Sequence, residues 1–239
     1  SVSFNGTPAE FELVDESTIV ATTPADYKTG NVTVTIHGYT MTGSAMFNPN
    51  SKGDVTVLYL QNYKQPFAKA NDESWKNGEW WTPAVWNQNA ASFNAKGNTT
   101  VSGMQYKSEE GLTLAFQNGW DKEAYTNGKI WQVATLRPGK YRLEVTYAYT
   151  MVVSDAGNFI SALMAKGNSE SDIPNVADIE QLNGVCAIYD KAGTNDDSGV
   201  LVTPSFEVTE TTDVVIGFLT SLAKGNSYFK VTELKLILE

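Results

Sequence analysis

The chain reads as all-β, a short first group of strands followed by a larger jelly-roll β-sandwich. Three observations carry that expectation. Charged residues are 18% of the 239, against roughly 25% in average soluble domains, and Gly, Thr, Asn and Ser fill the difference. Apolar residues alternate with polar ones along many short segments, the period of half-buried strands. Turn signals such as Asn5-Gly6, Pro138-Gly139 and Asn118-Gly119 separate those segments.

The elements follow in order. Val2-Ser3-Phe4 runs into Asn5-Gly6, a two-residue hairpin signal. Phe11, Leu13 and Ile19-Val20-Ala21 continue after it, and Pro24 to Gly30 forms a loop. Val32, Val34 and Ile36 alternate with Thr33 and Thr35, as in an antiparallel strand with one wet face. The stretch Asn48 to Gly53, rich in Asn, Pro and Ser, is the best linker and divides the chain into 1–48 and 49–239. Beyond it, strands are expected over 55–60, 99–106, 112–116, 129–135, 141–150, 159–164, 201–208, 214–219 and 228–238. Tyr141, Leu143, Val145, Tyr147 and Tyr149 share one face of their strand. In the last strand Phe229 and Val231 have one parity and Leu234, Leu236 and Leu238 the other, so a β-bulge is expected near Thr232-Glu233. One short helix fits after Pro174, through Val176, Ile179 and Leu182. This many short strands with turn-rich connections is the pattern of a jelly-roll or similar sandwich.

Charge and residue counts exclude several function classes. A net charge of −10 without Lys/Arg clusters argues against nucleic acid, because binding phosphates needs such clusters. It also disfavours anionic membranes and polyanionic glycans, leaving neutral ligands. The single cysteine, Cys186, permits no intrachain disulfide and no Cys-based zinc site. It reads as a small buried apolar residue. His37 is the only histidine and lies in the first group of strands, so the larger part contains no Ser-His-Asp or Cys-His site. A glycosidase needs only two carboxylates, but Glu73, Glu79, Glu109, Glu110 and Asp121 form many arbitrary pairs that carry no information. No run is long and apolar enough to be a transmembrane helix.

The stretch 71–86 stands out because it holds Trp75, Trp80, Trp81 and Trp86, four of six tryptophans, separated by polar and turn-forming residues. It fits neither helical nor strand periodicity. Thr82 and Pro83 could open a short helix as N-cap and N1. Flat indole faces on a loop suit stacking on sugar rings, with Glu79, Asn87 and Gln88 as neighbouring hydrogen-bonding groups. Adjacent Trp80 and Trp81 are expected to face opposite ways. The plainer alternative is a plug that seals the sandwich, each indole N–H bonded to backbone. Trp120 and Asp121 follow the Asn118-Gly119 turn as a second loop candidate, while Trp131 reads as packing. Asp190, Asn195, Asp196 and Asp197 place hard oxygen donors on one loop, the chemistry of a structural calcium site. EF-hand spacing is absent there, and a solvated turn explains the loop more simply. No other cofactor is expected.

Two resemblances add to this. Phe4, Gly6, Pro8, Ala9, Pro24, Gly30, Val32 and Val34 resemble the later half of an IPT/TIG immunoglobulin-like domain over residues 2–47. That family's first strands are missing here, and half a sandwich cannot bury its core. The natural protein is therefore expected to extend upstream of Ser1. The strings around 127–132, 135–143, 206–210 and 228–236 resemble galactose-binding-like sandwiches, closest to the C-terminal sandwich that follows IPT/TIG domains in Bacteroidetes-type surface glycan-binding lipoproteins.

What the resemblance implies is a partial Ig-like domain over 1–48 and a galactose-binding-like jelly-roll domain over 49–239. It further implies an extracellular lipoprotein on the outer-membrane surface, with its lipid anchor upstream, working beside an outer-membrane transport complex. The expected function is non-catalytic binding of a neutral polysaccharide or oligosaccharide. The alternatives are an adhesive or structural module that contacts protein, and an accessory domain of a glycan-degrading enzyme. No residue-level site carries over from the resemblance.

Overall fold

The structure is a computed structural model describing residues 1–48, 52–70, 80–92, 102–118, 124–154, 157–191, 193, 195–223 and 225–239. Its first group of strands comprises β1 (Val2–Phe4), β2 (Thr7–Ala9), β3 (Phe11–Leu13), β4 (Ile19–Ala21), β5 (Gly30–Ile36) and β6 (Tyr39–Met46). They form a four-stranded sheet in the order β2-β1-β5-β6 and a separate β3-β4 hairpin. Asn5 and Gly6 both take positive φ, at 46° and 84°, which a tight hairpin turn matching the strand twist requires. Val2 and Phe4 are buried, the latter edge-on to Tyr27 at 5.7 Å. Leu13 and Tyr39 are 65% and 81% exposed, so little apolar surface is covered here. His37 lies at the exposed β5–β6 turn with φ 48°.

The remaining elements are β7 (Gly53–Asp54), α1 (Thr56–Tyr59), β8 (Trp80–Trp81), β9 (Asn87–Gln88), β10 (Ser102–Lys107), β11 (Gly111–Asn118), β12 (Tyr125–Leu136), β13 (Gly139–Thr150) and β14 (Phe159–Lys166). After two 3-10 turns, Glu170–Asp172 and Val176–Gln181, come β15 (Gly184–Ile188), β16 (Asp197–Val202), β17 (Phe206–Val208), β18 (Thr212–Leu222) and β19 (Ser227–Leu238). Among the described residues, one sheet has eight strands, β16-β13-β19-β11-β10-β8 with β17 and β7 attached at its margins. The other has five, in the order β15-β14-β18-β12-β9. Their facing sides enclose one apolar core that includes Phe116, Tyr141, Phe218 and Phe229, all fully buried. Phe47 packs on this core from the first group of strands, with the Arg137 guanidinium 4.8 Å above its ring. Residues 49–51 of the expected linker lie outside the described residues.

Several local expectations change. Residues 55–60 form one helical turn instead of a strand, because the Asp54 carboxylate accepts from both the backbone N–H and the hydroxyl of Thr56, at 2.9 and 2.6 Å. The strand expected over 201–208 is broken, since Pro204 has no N–H to give a ladder. Thr203 instead bonds Leu143 through both its backbone N–H and its hydroxyl oxygen. Tyr149 leaves the face it was expected to share. At φ 52° it occupies a register shift between Tyr147 and Thr150 and is 38% exposed. The expected bulge in the last strand is present, as Glu233 pairs Thr146 and Val231 pairs Tyr147, leaving Thr232 extra. The helix after Pro174 is a 3-10 turn over Val176–Gln181.

A second apolar cluster lies on the outer side of the five-stranded sheet. Trp131, Leu163, Val215 and Leu219 are covered there by Ile173, with Val176 and Ile179 alongside. Trp131 lies over Gly217, where an added Cβ would sit 2.1 Å from the Ile130 carbonyl oxygen. Cys186, half-buried, packs against the same cluster.

Candidate functional site

The segment 80–88 crosses from one sheet to the other. β8 pairs with β10 (Met104 opposite Trp81, Gln105 opposite Trp80), and β9 pairs with β12 (Gln88 opposite Ile130, Asn87 opposite Trp131). Period-two alternation then sends the adjacent tryptophans to opposite sides. Trp81 points into the core at 7% exposure, with the Lys69 ammonium 5.6 Å from its ring, while Trp80 is half-buried. Trp86 is 5% exposed, lies 6.2 Å from the Phe218 ring, and donates its indole N–H to the Asn62 carbonyl at 3.0 Å. Trp81 and Trp86 thus behave as the plug, and neither presents a face to a sugar. The helix opening at Thr82-Pro83 is only a turn, in which Pro83 bridges Lys69.

Asn62, which sequence inspection did not single out, organises this plug. At φ 47° it donates its side-chain amide to the carbonyls of Ala68 and Ala84, both at 2.9 Å, and accepts from the Ala68 N–H. Asn87 and Gln88 donate to the carbonyls of Trp131 and Ser102, so their amides tie strands together. Trp75, Glu79, Trp120 and Asp121 lie outside the described residues.

Trp80 shares the outer side of the eight-stranded sheet with Gln105 and Thr113, which follow it across the ladder. Beyond them Gly103, Ala115 and Lys230 form the next row, and Gln117 and Tyr228 another. Gly103 and Ala115 give this face a floor of small residues. Gln105 and Thr113 are 3% and 1% exposed, and the Gln105 side-chain amide donates to Gln117 at 3.4 Å. Among the described residues, the Gln105 side-chain oxygen and the Thr113 hydroxyl are buried without a hydrogen-bond partner, an arrangement that costs roughly 1–3 kcal/mol per group unless something bonds it. Three strand steps and four residues along the strands separate Trp80 from half-buried Tyr228, about 14 Å across the sheet and about 13 Å along it.

Lys230 is fully buried on this face, ion-paired with Glu110 and 4.9 Å from the Tyr228 ring centre. Burial drives its ammonium down to about 8, against the Glu110 pairing that works to raise it. Lys107 reaches the same carboxylate group at 3.6 Å. The pair joins the β10–β11 turn to β19 across a long sequence separation, which is why no local pattern revealed it.

A second concave feature lies on the opposite side of the molecule. A cleft of about 450 Å3 is lined by Lys129, Lys166, Ser171, Asp172, Asn175, Asp178, Gln181 and Asn183, among others. Lys129, 6% exposed, donates to the carbonyls of Ile173 and Glu170 at 2.5 and 3.5 Å. Burial lowers its pKa, opposed by the charge of Glu170. Asp172 accepts from the backbone N–H groups of Asn168 and Ser169 and from the Ser169 hydroxyl, which holds the cleft wall in place and keeps its carboxyl below the usual range, the Ser169 hydroxyl bond contributing most.

In the acidic loop considered for calcium, the Asp197 carboxylate is engaged by protein groups. Tyr147 and Tyr189 both donate to one Asp197 oxygen, at 3.1 and 2.9 Å, and Lys191 stands 3.6 Å from it. Burial works to raise the Asp197 carboxyl, but these hydrogen bonds and the Lys191 charge outweigh it and hold it below its ordinary value. Asp190, Asn195 and Asp196 are exposed. Among the described residues no group of three or more His, Cys, Asp or Glu side chains could hold a metal ion.

Comparison with solved structures finds similar chains at low identity. An arabinose-bound α-L-arabinofuranosidase aligns at 10% identity and TM-score 0.41, over 75% of this chain and 26% of the other. A candidate sugar-binding protein from Bacteroides thetaiotaomicron aligns at 12% identity and TM-score 0.40, over 76% and 99%. A xylan-binding module aligns at 13% identity and TM-score 0.32, over 64% and 96%. This chain therefore spans about a quarter of the arabinofuranosidase. No curated protein matches it in sequence. The profile of the family described as a domain of unknown function, DUF5013, matches residues 61–217, well over half of the chain, and the protein belongs to that family.

Proposed function

We propose that this protein binds neutral glycans without transforming them, on the outer face of the eight-stranded sheet around Trp80. One observation carries this. Trp80 is a half-buried indole on the same face as the buried amide of Gln105, whose side-chain oxygen has no partner among the described residues. An aromatic plane suits a pyranose, whose C–H face stacks on the ring, and the Gln105 oxygen, itself out of solvent reach, accepts a hydroxyl once the side chains over it shift. The net charge of −10 favours an uncharged chain over a uronic-acid or sulfated one. Binding without catalysis is supported by Glu110, a carboxylate of this face, being tied to Lys230 and Lys107, and by the only histidine lying at the exposed β5–β6 turn.

In this proposal the first group of strands belongs to an Ig-like spacer of IPT/TIG type. The whole is an extracellular lipoprotein anchored upstream at the outer-membrane surface, delivering glycan to a transport complex. Affinity electrophoresis against a panel of neutral polysaccharides tests the central claim. At least one glycan should retard the protein, and Trp80→Ala should reduce that retardation at least tenfold in apparent affinity. Release of reducing sugar would instead establish an enzyme. A protein-contacting role is the second reading, favoured by the exposed Ile36, Tyr39 and Met41 on the β5–β6 hairpin. It would gain if no glycan caused retardation.

A further inference from the structure

The cleft on the five-stranded sheet has the chemistry of a ligand site and lies on the side of the sandwich opposite Trp80. Lys129 faces outward from β12, since its neighbour Ile130 belongs to the inner core and Trp131, one row on, to the outer cluster. Its volume, about 450 Å3, falls within the range of small-molecule pockets. Its walls are rigid for identifiable reasons. Ile173 is 1% exposed and anchored in the outer apolar cluster. The Asp172 carboxylate closes the turn at Asn168 and Ser169. Val176 donates its N–H to the Asn127 side chain, and Asn89 bonds the Glu170 carboxylate.

The lining is balanced in charge and rich in polar groups open to solvent. Lys129 and Lys166 balance Asp172 and Asp178 in its lining. Among the described residues, Lys166, Asn175, Asp178, Gln181 and Asn183 are exposed and their side chains make no hydrogen bonds with the rest of the protein, so their donors and acceptors face solvent. The lining has no aromatic ring and little apolar wall, which disfavours lipids and planar cofactors. Phosphate would meet two carboxylates, and a free cation would meet two ammonium groups. A neutral ligand carrying many hydroxyls, each both donor and acceptor, satisfies this set best.

We propose that the cleft is a second saccharide subsite, one that holds a sugar by polar contacts alone and makes the sandwich bivalent on a polysaccharide. This rests on the glycan reading above. Two sites on opposite faces would raise avidity for long chains without raising affinity for short ones.

Two-dimensional NMR of the labelled protein, titrated with cello-, xylo-, manno- and galacto-oligosaccharides, separates the two claims. The side-chain amides of Asn175, Gln181 and Asn183 should shift on titration independently of the Trp80 indole N–H. The double change Asn175→Ala with Asp178→Ala should weaken the cleft response at least tenfold, leaving the Trp80 response unchanged. A Trp80 response with unmoved cleft amides overturns the second subsite alone. A cleft response with an unmoved Trp80 supports it and sinks the Trp80 site. No response to any sugar overturns both.

Discussion

The two outer faces of the sandwich have the same strand alternation but bury different things. On the five-stranded sheet the outward row Trp131, Gly217 and Leu163, with Val215 beside it, is apolar and is sealed by Ile173 and the 3-10 turns. On the eight-stranded sheet the outward rows bury Gln105, Thr113 and Lys230. Burying apolar surface stabilises at about 25 cal/mol per Å2. Burying polar groups costs free energy unless they are bonded. The first face is therefore a second core, and the second is held against its own energetics.

The largest effect expected from this comparison is in the outer core. Trp131→Ala should cost about 3–5 kcal/mol, the range for deleting a buried large aromatic, whereas Trp80→Ala should cost about 1 kcal/mol as a change near the surface. Urea unfolding followed by circular dichroism would measure both. Equal losses would mean that the two faces are equally structural.

Next comes the buried pair. Glu110→Gln leaves the Lys230 ammonium fully buried without its partner and should cost on the order of 3 kcal/mol, read from the same unfolding curves. Its pH dependence has a definite sign. Lys230 sits near 8 in the folded protein and 10.5 is its ordinary value, so between those limits the unfolded chain binds more protons. Stability relative to Lys230→Met should then rise as pH increases from 8 to 10 and be flat below 8. Above that range Tyr125, raised to about 12 by burial, and Tyr141, raised further chiefly by burial, act in the opposite direction. A relative stability falling between pH 8 and 10 would show Lys230 to be stabilised in its charged form.

The smallest effect sharpens the distinction most. Gln105→Leu removes an unpartnered acceptor together with one long hydrogen bond, and should leave stability within about 1 kcal/mol while abolishing glycan retardation. A large loss of stability would place Gln105 among the structural residues.

Much of the β-architecture is legible locally. The alternation at Tyr141, Leu143, Val145 and Tyr147 does face the core, and the parity change in β19 does mark a bulge. β15 could have been found from its Val185-Cys186-Ala187-Ile188 run. The site was legible only in part. Composition picked out 71–86, yet nothing within it distinguishes Trp80 from Trp81 or Trp86. The distinction depends on Met104 and Gln105 as cross-strand partners, on Asn62 receiving the Trp86 indole N–H, and on Phe218, more than a hundred residues away, packing against its ring.

Strand identity, turn positions and the all-β class are set by two-residue alternation and by Gly, Pro and Asn conformational preferences. These act between near neighbours and can be read in the chain. Which indole becomes core, where Lys230 finds Glu110, and how Lys129 comes to floor a cleft depend on contacts between remote segments. Burial and hydrogen-bond satisfaction are properties of those contacts, and they arise only when the two sheets close on each other.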